Sequence, residues 1–144
     1  MNSANRSAPV SLAVFLLRLI WGALFLFHGV LKFTDMSKAV ESFARIGIPH
    51  PTITAPAIAL LEVVGGVVLI LGLSWITRLL ALLLAADMVG AIVKVRLHSS
   101  VSEGYELNVV LLAGLVAIAL IGPGMFAIMR ERSYTSREVV PAAP

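Results

Sequence analysis

Three ionisable residues stand inside long apolar runs of this chain: Arg18, Glu62 and Asp87. A charge held in hydrocarbon costs at least about 2.5–3.5 kcal/mol on insertion scales, so such a group normally faces a partner or a wet cavity. His28, Lys32, Lys94, Glu106 and Asn108 lie toward one end of the same runs. Carboxylates set beside cations in a shielded place are suited to proton exchange, because burial and a neighbouring cation pull a carboxyl group in opposite directions. Lys32 and Lys94 have the charge and reach to hold an anionic or carbonyl oxygen. These residues form the candidate ligand-binding cluster.

Spacing places them on helix faces. Arg18, Gly22, Phe25, Gly29 and Lys32 recur every three or four residues and make one stripe, with His28 at its border. Asp87, Ala91, Lys94 and His98 make a second stripe, and Glu62 shares a face with Gly65 and Gly66. Small residues let membrane helices approach closely, which shortens the distance between charges. At about 1.5 Å per residue, Arg18, Glu62 and Asp87 come out roughly 12–18 Å from the terminal side; His28, Lys94 and Glu106 come out near roughly 27 Å. Two polar layers are expected, one central and one at the rim away from the termini.

Plainer readings stand beside this one. Arg18 with Glu62 or Asp87 could be an ion pair that fixes helix register, and Lys32, Lys94 and His98 could snorkel to headgroups. A haem held by His28 and His98 has little support, since both sit at the edge. No metal site is expected: no carboxylate–histidine set has di-iron spacing, and phosphate-loop, hydrolase-elbow and metalloprotease motifs are missing. The chain has no cysteine, so it forms no disulfide, thiolate site or dithiol relay.

The elements that must carry these residues follow from composition. Of 144 residues, 59% are hydrophobic and 13% charged, well away from a soluble domain. The net charge of +3 is scattered among apolar runs, so no nucleic-acid partner is expected. Four segments are long enough to cross about 30 Å of hydrocarbon: Val10 to Phe33, Thr52 to Leu73, Trp75 to Leu97 and Tyr105 to Ile121. The expected fold is all-α, a polytopic four-transmembrane-helix bundle in the lipid bilayer. Met36, Val40, Phe43 and Ile46 predict a short amphipathic surface helix between the first two, with Thr34 or Asp35 as N-cap and Gly47 as stop. Residues 1–9 form an N-terminal tail, 10–124 the membrane domain and 125–144 a C-terminal tail expected to be disordered at its end. The first run, too long and interrupted by Arg18, reads as an uncleaved anchor. Flanking Lys and Arg divide evenly between the two sides. Setting aside Lys32 and Lys94 as functional tilts the termini toward the cytoplasm.

Several stretches, in order, carry a family resemblance: Leu17-Arg18-Leu19-Ile20-Trp21-Gly22, Phe27-His28-Gly29-Val30-Leu31-Lys32, Gly47-Ile48-Pro49-His50-Pro51, the run Leu61-Glu62 to Leu73, Gly104-Tyr105-Glu106-Leu107 and Gly122-Pro123-Gly124. This order resembles the DoxX family of bacterial four-helix membrane proteins, over roughly Leu17 to Gly124. The family pattern falls on Arg18, His28, Lys32, Glu62 and Glu106. The resemblance implies the inner membrane, a link to quinone or thiol redox metabolism, and a soluble oxidative-stress enzyme as partner. With no covalently bound cofactor expected, the reading is a quinone- or small-molecule-binding subunit, non-catalytic or dependent on a partner oxidoreductase. A metabolite or proton carrier and a scaffold for a soluble enzyme are the alternatives.

Overall fold

A computed structural model of the chain describes residues 3–98 and 106–129. Within them the fold is all-helical, with five helices: α1 Ser3–Thr34, α2 Met36–Arg45, α3 Pro51–Leu71, α4 Ser74–His98 and α5 Glu106–Ile121. Three stretches, Ala8–Thr34, Pro51–Leu71 and Ser74–Lys94, are long and apolar enough to cross a membrane, whereas α5 is apolar but only 16 residues long. Helix is the conformation such runs take because every backbone polar group finds its partner within the segment. The loop expected after His98 and the tail from Arg130 onward lie outside the described residues.

The local punctuation is read from particular residues. Asp35 caps α2: its carboxylate accepts from the Lys38 amide at 3.1 Å and the Ser37 hydroxyl at 3.0 Å. These bonds, the amide first, hold the Asp35 carboxyl below the usual carboxylate range. At the other end Gly47 takes a left-handed φ of 71°. Its amide donates to Ala44 O, and the Ile48 amide to Phe43 O, the paired bonds of a Schellman stop. Pro51 opens α3, where its missing N–H is no loss.

α1 packs along α3 and also meets α5; α4 packs along α5 and meets α3. The α1–α3 seam is the tightest, because Gly22 and Gly66 face each other. A Cβ on Gly66 would stand 2.6 Å from the Gly22 carbonyl oxygen, and one on Gly22 would stand 2.7 Å from that of Gly66. Phe25, Leu69, Leu84, Leu115 and Ile118 fill the centre. Trp21 ties α1 to α5 by donating from Nε1 to Leu111 O at 2.9 Å. Beyond α5, residues 126–129 run beside the α3–α4 turn: the Ile128 and Met129 amides donate to Leu71 O and Gly72 O, and the Ser74 amide donates back to Met129 O.

Candidate functional site

The charged residues of the interior separate into two groups with different work. At the end where α3 turns into α4, Arg18 is fully buried and makes no ion pair among the described residues. Its guanidinium donates to Leu69 O at 2.8 Å, to Ile70 O at 3.0 Å and to Pro123 O. A helix leaves its last four carbonyls without intrahelical donors. In α3 the Gly72 amide takes Val68 O, Arg18 takes Leu69 O and Ile70 O, and the Ile128 amide takes Leu71 O. Arg78 does the same for α5, donating to Ala119 O at 2.7 Å, Leu120 O at 2.9 Å and Ile121 O at 3.3 Å. Neither α3 nor α5 has a basic residue in its own last turn. Each borrows one from a neighbouring helix, a favourable place for a cation at the negative end of the helix dipole.

Arg18 therefore does not join Glu62 and Asp87 in one central layer. The count along the axis put the three Cα atoms near one level. The long side chain of Arg18 runs instead toward the terminal end, where unpaired carbonyls wait.

The second group lines a cavity of about 630 Å³ at the opposite end. His28 and Lys32 reach it from α1, Glu62 from α3, Asp87 and Lys94 from α4 and Asn108 from α5. Lys32 Nζ meets Glu62 Oε2 at 2.5 Å, and the Glu62 side chain is only 5% exposed. Asp87 is half-buried and makes no hydrogen bond or ion pair among the described residues. Lys94 Nζ donates to Gly47 O at 2.8 Å, so the Schellman stop of α2 is tethered to α4. Phe43, Ile46 and Ile48 close the cavity from the α2 side, and Phe25, Leu61 and Met88 form apolar floor and wall. Of the sequence candidates, Glu106 lies outside the cavity on an exposed face. Among the described residues, no group of three His, Asp or Glu could hold a metal ion.

Arg78 was missed as an interior residue because it lies one turn into α4, where it reads as a flanking charge. The signal was its pairing with Gly122-Pro123-Gly124, a helix end rich in carbonyls and poor in donors. A Cβ on Gly122 would stand 2.5 Å from the Arg78 guanidinium, so the glycine makes room for it.

Apolar helices of spanning length, closed around buried charges, define a helical integral membrane protein. The chain belongs to the DoxX family, whose profile matches residues 13–97. It is 35% identical over 113 residues to a Bacillus subtilis (strain 168) protein titled "Putative oxidoreductase CatD", covering 78% of this chain and 81% of that one. It is 33% identical over 135 residues to the membrane protein Rv3486 of Mycobacterium tuberculosis, covering 84% and 82%. No solved structure matches the chain.

Proposed function

We propose that the cavity binds the head group of a membrane quinone or quinol, and that the protein serves as the membrane-bound quinone-handling subunit of a redox system. In this reading α5 makes a fourth crossing, the protein sits in the bacterial inner membrane with cytoplasmic termini, and a soluble partner supplies the electron chemistry.

The observation that carries the reading is Asp87, a half-buried carboxylate that lines the cavity beside the Lys32–Glu62 pair and has no hydrogen-bond partner among the described residues. A carboxylate partly removed from water and open to a cavity favours a ligand that donates to it. An anionic ligand would meet repulsion there. A ligand that offers hydroxyl donors would not. The hydroxyls of a quinol fit Asp87 and Glu62 as acceptors, and the carbonyls of a quinone fit Lys32 and the Asn108 amide as donors. The cavity is within the about 300–1,000 Å³ of ordinary ligand sites, apolar with a few convergent polar groups. The two carboxyls hold or accept protons at the ligand oxygens, and the apolar walls keep water from them. The relative titled as an oxidoreductase agrees with this redox setting.

The test is Asp87→Leu in purified protein. The variant should unfold at a higher temperature than the wild type and lose the stabilisation that added quinol gives. A wild type that shows no thermal shift with either quinone or quinol, or a variant that keeps the full shift, refutes the proposal.

A further inference from the structure

Helical glycines in this molecule sit where a neighbour occupies the place of the missing side chain, with one exception. A Cβ built on Gly22, Gly29, Gly65, Gly66 or Gly114 would meet another atom within 3 Å. A Cβ on Gly90 of α4 meets nothing within 4 Å. Glycine weakens a helix interior, and in membrane helices it is usually offset by close packing. Gly90 packs against nothing. It nevertheless lines the cavity and is exposed, as are Ala86 of α4 and Ala57 of α3.

All three small residues line the cavity, two from α4 and one from α3. α3 and α4 are joined at residues 71–74. Measured from that turn at about 1.5 Å per residue, Ala86 stands roughly 18 Å up, Ala57 roughly 21 Å and Gly90 roughly 24 Å. All three heights fall within hydrocarbon about 30 Å thick. The outer surface on either side is apolar and exposed, with Leu60 and Val64 on α3 and Leu82, Val89 and Val93 on α4. Phe43, Ile46 and Ile48 line the cavity from the α2 side, where Lys94 Nζ also donates to Gly47 O.

We infer that the cavity is entered from within the bilayer, through a slit between α3 and α4, and that its ligand is a quinone or quinol bearing an apolar chain. The head lies against Glu62 and Asp87, and the chain leaves between Ala57 and Gly90 into lipid. The inference rests on the proposed quinone reading and adds the route and the tail.

The experiment uses the full chain in lipid nanodiscs, with Trp75 changed to Phe so that quenching of Trp21, bonded to the cavity residue Leu111, reports binding. Two probes are compared on a bilayer mole-fraction scale: a tail-less benzoquinone and the same head with a decyl chain. Gly90→Leu should weaken binding of the tailed probe at least about fivefold more than it weakens binding of the tail-less probe. Ala57→Leu, across the slit, should act in the same way, and Val89→Leu, on the lipid face outside the cavity, should change neither. Because leucine is the better helix former, Gly90→Leu should not lower stability. If the slit variants weaken both probes equally, or neither, or if the wild type binds only the tail-less probe, lateral entry is wrong while the quinone reading stands. If the wild type binds neither probe, both fall together.

Discussion

Replacing Arg18 by Met separates structural from ligand-binding charge in this protein. The side chain volume and the apolar stem are kept, and the three donors to Leu69 O, Ile70 O and Pro123 O are lost. Each buried acceptor left without a donor costs about 1–3 kcal/mol, a gross loss of several kcal/mol. Against this, the variant no longer holds a guanidinium out of water, and the desolvation relieved is also several kcal/mol in general. The net loss should be about 3 kcal/mol, or roughly a hundredfold in the unfolding equilibrium. Arg18→Lys should recover only part, since an ammonium lacks the planar fork that serves three carbonyls at once. Reversible unfolding in mixed micelles, followed by helical circular dichroism, measures the loss. On the proposed quinone reading, the folded fraction should bind quinone within about twofold of the wild type, because Arg18 does not line the cavity. A change in stability under about 0.5 kcal/mol, or a loss of binding with stability intact, would refute the capping role.

Two further substitutions test the interior in other ways. Lys32→Met strands the Glu62 carboxylate and should cost about 3 kcal/mol, whereas Lys32→Met combined with Glu62→Leu should recover most of it. Additive costs in that cycle would show that the 2.5 Å pair is not coupled. Gly66→Ala should destabilise by about 1–3 kcal/mol despite the better helix propensity of alanine, because the added carbon meets backbone atoms of α1. An increase in thermal stability would mean the α1–α3 seam has room to spare.

Helix positions were legible because a long apolar run in lipid has few alternatives, and α3 and α4 lie within one or two residues of the segments read from sequence. The stripe that carries Lys32 was legible for the same reason: a helix turns arithmetic into geometry. Side-chain reach was not. Arg18 and Lys32 lie on one stripe of α1, yet their heads serve opposite ends of the molecule. Carbonyls at a helix end are strong acceptors that carry no letter in the sequence, so the partners of Arg18 and Arg78 could not be found by pairing charges. The tether between the α2 stop and α4 runs from Lys94 to the Gly47 carbonyl, another backbone atom that no residue type announces.

Cross-helix capping also makes two helix ends depend on contacts distant in sequence. Arg18 enters the membrane with the first segment, but its acceptors lie 51, 52 and 105 residues further along the chain. Until α3 docks on α1, the Arg18 guanidinium has neither the Leu69 nor the Ile70 carbonyl to pair with. Arg78 of α4 likewise meets the carbonyls of α5 41 to 43 residues further along the chain. Both caps therefore report docked helices: neither forms until the helix that supplies the guanidinium lies against the one that ends.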